Sequence, residues 1–91
     1  MTENELKGEV LRIAKAGGWL VYHVTQSKVR GSQGRGYPDL TLAREGDVLW
    51  FELKQEDGKL SPEQAAWAKA LPSDCYVIRP STLDVAAELL A

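Results

Sequence analysis

Apolar and polar positions along this chain follow two periods, and each switch between them marks an element. Leu6, Val10, Ile13 and Ala14 recur at helical spacing behind Thr2-x-x-Glu5, a capping-box pattern, until Gly17-Gly18 stops the run. Residues 19 to 24 are rich in β-branched and aromatic side chains and read as a strand. Two further strands are predicted over residues 39 to 44 and 48 to 54, joined at Arg44-Glu45-Gly46-Asp47. Ser61-Pro62-Glu63-Gln64 starts a second helix with Pro62 at its first position, Trp67, Ala68 and Leu71 on its inner face, and Pro72 helping to end it. Residues 75 to 78 read as a strand, and Ser81 opens a last helix with Leu83, Ala87 and Leu90 inward. This order predicts an α/β sandwich, a mixed sheet with helices packed on it.

The hairpin carries the chemistry. A connection of two or four residues pairs Ala43 with Val48 and, in the same register, Leu42 with Leu49, Leu40 with Phe51 and Asp39 with Glu52. One face is then wholly apolar while the other carries Asp39, Thr41, Glu52 and Lys54, and a one-residue slip would mix them. Directly opposed residues have Cβ atoms ~4.5–5.5 Å apart, close enough for two carboxylates to share one divalent metal. Lys54, two residues beyond Glu52, projects from the same face. On an ordinary surface hairpin such charges would simply be solvated. Val48-Leu49-Trp50-Phe51, however, is apolar on both faces and reads as an interior strand, where charges need a reason. Two acids, a lysine and a place for a metal suggest phosphodiester cleavage.

Composition narrows the remaining possibilities. Ninety-one residues make one domain with a limited core, so self-association is expected. No apolar run approaches the ~20 residues of a membrane span, and the first five residues are polar and acidic, unlike a signal peptide; a cytosolic protein is expected. Cys75, the only cysteine, excludes an internal disulfide or a cysteine zinc cluster and is expected in the core. His23, the only histidine, leaves a histidine-based zinc site without ligands and belongs near a sheet edge. The formal net charge of -2 argues against a nucleic-acid partner, but its distribution argues the other way. From Thr25 to Gly36 there is no acid, while Lys28, Arg30 and Arg35 stand among glycines and small polar residues, a segment able to lie along phosphates. Trp19, Trp50 and Trp67 each sit on an apolar face and are expected in the core. Gly31, Gly34 and Gly36 precede a strand, where a nucleotide-binding loop would open a helix, so no nucleotide cofactor is expected.

Taken together, Gly36-Tyr37-Pro38-Asp39, Glu52-Leu53-Lys54 and Lys59-Leu60-Ser61-Pro62-Glu63-Gln64 resemble the successive motifs of stand-alone VRR-NUC domains, the virus-type replication-repair nucleases of the PD-(D/E)xK superfamily. The resemblance runs from the first helix through Leu71 and more loosely to the end. It implies a restriction-endonuclease-like αβββαβ core with a C-terminal helix, and a metal-dependent DNA endonuclease. It also implies a homodimer similar to Holliday-junction resolvases, with branched DNA as the leading substrate. Asp39 and Glu52 would then be metal ligands, with the Leu53 backbone carbonyl a third; oxygen ligands suit Mg²⁺ or Mn²⁺. Lys54 would hold the attacking water or neutralise the transition state.

A first-helix glutamate also belongs to the family pattern. Glu3 and Glu9 lie at the two edges of the apolar stripe, Glu5 has a capping role, and Glu3 best matches by its spacing from Gly18-Trp19. Gln64 resembles the family's glutamine near the active lysine, while Ser61-x-x-Gln64 is at the same time a capping box. The alternative from another class is a catalytically silent nucleic-acid-binding or interaction module on the same fold. Intact Asp39, Glu52 and Lys54 argue against such decay.

Overall fold

In the computed structural model, which describes residues 1–23 and 34–91, the elements run α1 (Glu3–Ala16), β1 (Leu20–His23), β2 (Leu40–Arg44), β3 (Asp47–Leu53), α2 (Pro62–Ala70), β4 (Cys75–Ile78), a 3₁₀ turn (Pro80–Thr82) and α3 (Leu83–Leu89). Both capping boxes form. Thr2 Oγ1 accepts from the Glu5 N–H at 3.1 Å while the Glu5 carboxylate accepts from the Thr2 N–H at 2.8 Å. Ser61 and Gln64 repeat the exchange at the start of α2, at 3.1 and 2.8 Å. Each exchange satisfies two backbone N–H groups that the first turn leaves without partners.

The sheet has the order β1-β2-β3-β4, antiparallel from β1 to β3 and parallel between β3 and β4. The parallel step requires a crossover, which α2 supplies. Leu40 pairs with Phe51, Leu42 with Leu49 and Ala43 with Val48, the register expected from the apolar pattern. The hairpin loop has two residues, since Arg44 pairs with Asp47. Glu45 (φ 50°) and Gly46 (φ 88°) both take positive φ, as a type I′ turn requires.

One sheet face makes the core. Leu40, Leu42, Leu49, Phe51, Leu53 and Ile78 pack with Leu6, Val10 and Ala14 of α1 and with Ala86 and Leu90, all buried. Trp19 precedes β1 and closes one end of this core. Its indole N–H donates to the Leu90 carbonyl at 3.1 Å, and the Arg44 guanidinium lies 4.4 Å from its ring centroid. Arg44 also donates to the carbonyls of Gly17 and Ala91, tying the turn after α1 to the last residue.

Several expectations change on the other face. Trp50 and Trp67 are half-buried there, and Cys75, the register partner of Trp50, is half-buried with them. No residue of α2 is fully buried; Trp67, Ala68 and Leu71 are only half-covered because the helix spans just part of this face. Leu20, Tyr22 and Val48 on the same face stay exposed. In α3, Ala86 rather than Ala87 is buried, because the 3₁₀ turn ahead of it phases the helix so that Leu83, Ala86 and Leu90 share the inner side. His23 ends the edge strand β1 and is exposed. No helix among the described residues is long and apolar enough to cross a membrane.

Candidate active site

The site forms where β2, β3 and the first turn of α2 meet. Gly36 takes φ 85°, and a Cβ there would stand 2.5 Å from the Glu63 carbonyl carbon and 2.7 Å from the Gln64 nitrogen. The backbone of α2 therefore rests directly on this glycine, an approach that no side chain permits. The Tyr37 hydroxyl meets Thr41 Oγ1 at 3.0 Å and accepts from the Trp50 indole N–H at 3.0 Å. Its ring stands edge-on to Trp67 at 5.0 Å, and the Trp67 indole N–H donates to the Arg35 carbonyl. These bonds, with Pro38 fully buried, fix the chain as it enters Asp39.

Asp39 Oδ2 accepts from the Leu53 N–H at 2.8 Å, which carries the hairpin register one pair further and sets the carboxyl beside Glu52. Glu52 is 4% exposed, although it is an acid. Its Oε2 accepts from Gln64 Nε2 at 3.0 Å. Because Gln64 Oε1 already takes the Ser61 N–H, its amide has one orientation, with the NH₂ toward Glu52. One side chain thus caps α2 through its oxygen and bonds the Glu52 carboxylate through its nitrogen.

Glu52 is pushed up to about 8, first by burial and then by the charge and hydrogen bond of Asp39, with Glu3 adding a smaller repulsion. Lys54 pulls in the opposite direction without prevailing. Burial also pushes the Cys75 thiol up, helped by the Glu52 charge. Two adjacent carboxyls, one of them buried, form an oxygen donor set whose repulsion and desolvation a hard divalent cation would offset. The residues present fit such an ion.

The structure brings together Asp39, Glu52, Leu53, Lys54 and Gln64. Lys54 follows β3 and stays in the sheet, its N–H donating to the Ile78 carbonyl at 3.0 Å. Glu3 is exposed and is not gathered into the pair; among the described residues no three His, Cys, Asp or Glu side chains form a metal-binding group. Glu9 pairs with Arg12 at 2.8 Å and Glu5 is committed to its cap, so Glu3 is the first-helix acid whose charge reaches Glu52. Arg35 is exposed at the edge of the site, and Lys28, Arg30 and Val24 lie outside the described residues.

The support given by Tyr37, Thr41, Trp50 and Trp67 was not legible beforehand. Apart from Tyr37–Thr41, its bonds join residues 13 or more positions apart, and an indole on an apolar strand looks like core until its partner is known.

No protein-family model matches the chain, and no curated protein does. A solved structure described as a VRR_NUC domain superposes with a TM-score of 0.70 at 20% identity, covering 94% of this chain and 94% of the other. The resemblance read from the motifs therefore holds at the level of the fold, an α/β restriction-endonuclease-like arrangement with a C-terminal helix.

Proposed function

We propose that this chain is a Mg²⁺- or Mn²⁺-dependent endonuclease that hydrolyses phosphodiester bonds in DNA. The observation that carries the reading is Glu52, a buried acid held against Asp39 where a divalent cation would relieve both burial and repulsion. The fold shared with a VRR_NUC domain structure supports it.

Asp39, Glu52 and the Leu53 carbonyl would hold the metal, with Glu3 the first-helix acid nearest to joining them. When bound, the cation supplies polarisation of the scissile phosphate and a lowered pKa for the attacking water. The protein's part is pre-organisation: the Leu53 N–H orients Asp39, and Gln64, locked by Ser61, orients Glu52. Lys54 would place a positive charge against the phosphate as negative charge builds, or hold the water. Lys28, Arg30 and Arg35 would contact the DNA backbone.

In this reading the chain works as a homodimer on branched DNA such as a Holliday junction, and the exposed apolar face supports the dimer. Leu20 and Tyr22 are 77% and 67% exposed on a half-covered sheet face, surface that a second copy would bury.

The test is a cleavage panel of single-stranded, duplex, flap and four-way-junction DNA with Mg²⁺ and Mn²⁺, run beside Asp39→Asn. The variant should fold and lose cleavage; hydrolysis at near wild-type rate would sink the site assignment. The silent module is the second reading, favoured by the lack of a third gathered acid among the described residues. DNA binding by the wild-type chain without metal-dependent hydrolysis on any substrate would select it.

A further inference from the structure

Lys54 is followed by a turn, residues 55–58, that is held chiefly by the side chain of Arg79, the residue just after the neighbouring strand β4. Arg79 Nη1 donates to the carbonyls of Gln55 and Gly58, both at 2.7 Å, and of Glu56 at 3.2 Å. The Gly58 N–H donates back to the Gln55 carbonyl at 3.1 Å, closing the turn on itself. On its outer side the Glu56 carboxylate accepts from the Ser81 N–H at 2.9 Å and from the Ser81 hydroxyl. Arg79 is itself fixed: its N–H donates to Thr82 Oγ1, and its carbonyl accepts from the Thr82 N–H and hydroxyl.

The turn has one neighbour of consequence. A Cβ on Gly58 would stand 3.3 Å from Lys54 Cδ, so the lysine stem lies against the glycine backbone. Lys54 is thereby confined between the sheet, which takes its N–H, and the clamped turn. A free lysine stem samples many rotamers, and a charge stabilises a transition state only when it is already in position. Surface turns are otherwise among the mobile parts of a fold. Three carbonyls converging on one guanidinium remove that freedom.

We propose that Arg79 is a positioning residue for Lys54, acting through the turn it clamps. The inference rests on the nuclease reading above for its effect on turnover, but its structural half can be read without activity.

The experiment compares wild type, Arg79→Ala, Lys54→Ala and the double variant on the best DNA substrate of the panel. Arg79→Ala should lower kcat by roughly 10- to 100-fold while KM for DNA and Mg²⁺ affinity by calorimetry change by less than about twofold. In the Lys54→Ala background the same change should cost almost nothing, because the group it positions is gone. A full loss persisting in that background would overturn the proposal, as would an unchanged kcat. Glu56→Ala, which frees the turn from Ser81, should repeat the effect in smaller measure and serves if Arg79→Ala fails to fold. In metal-free, DNA-free protein, NMR relaxation of the Lys54 ¹³Cε should show larger side-chain motion in Arg79→Ala than in wild type. If wild type cleaves nothing, the nuclease reading falls and this measurement alone decides the inference: unchanged Lys54 motion refutes it.

Discussion

Replacing Glu52 with Gln should stabilise the metal-free protein, and by more as pH rises. In the folded chain the Glu52 carboxyl is pushed up to about 8 from an ordinary 4.5, mainly by burial. Below 4.5 both folded and unfolded states hold the proton and Glu52 imposes no penalty. Between 4.5 and 8 the unfolded chain releases its proton while the folded chain keeps it, so the folded state loses ground with each rise in pH. At ~1.4 kcal/mol per pH unit, that interval amounts to up to about 5 kcal/mol, a large share of the ~5–15 kcal/mol typical of a domain. Above 8 the loss is complete and constant. Gln keeps the shape, carries no charge and can still accept from the Gln64 amide, so its stability lacks this slope.

The measurement is urea unfolding of both proteins from pH 5 to pH 9 in chelator, taking the difference in unfolding free energy at each pH. The difference should open steadily above pH 5 and level off near pH 8 to 9. Adding Mg²⁺ should restore much of the wild-type deficit at pH 8.5 and do little for the variant, because a ligand specific to the folded state stabilises by mass action. Parallel pH curves for the two proteins would refute the reasoning, and with it the picture of Glu52 as a buried, uncompensated acid.

Lys54→Ala should cut turnover by at least about 10²-fold with DNA affinity in Ca²⁺ little changed; equal losses in both would make Lys54 a phosphate anchor instead. Gly36→Ala forces a Cβ to within 2.5 Å of the Glu63 backbone at φ 85°, so it should cost about 2 kcal/mol or more, on the order of 10 °C in Tm, with α2 and Gln64 displaced from Glu52. An unchanged melting curve would mean that α2 does not rest on this glycine. Replacing Lys28, Arg30 or Arg35 with Ala should each lower the slope of log affinity against log salt by about one unit, or about two on a symmetric junction bound by a dimer. If no slope changes, DNA is held by another surface.

The hairpin shows how far local pattern reaches. Leu40, Leu42, Leu49 and Phe51 exclude any one-residue slip, and with the short turn at Glu45-Gly46 they set the register that brings Asp39 to Glu52; with Lys54 two residues on, the heart of the candidate site is written in period-two alternation and a turn. The two capping boxes were legible for the same reason, since each is a contact between residues three apart. Burial was not. Trp50, Trp67 and Cys75 have the side chains of core residues, yet they lie on the face that α2 only partly covers, and coverage depends on where a crossover helix comes to rest. Arg44 looks like a hairpin-end charge until it is seen stacked on Trp19 and bonded to carbonyls 27 and 47 residues away. Nothing near Arg79 in the chain announces that it clamps the turn after Lys54. Spacing along a strand or a helical turn determines which residues face together, because geometry repeats at fixed intervals. Which faces meet, and how Glu52 comes to be buried beside Asp39 and under the Gln64 amide, is decided only when the distant elements pack.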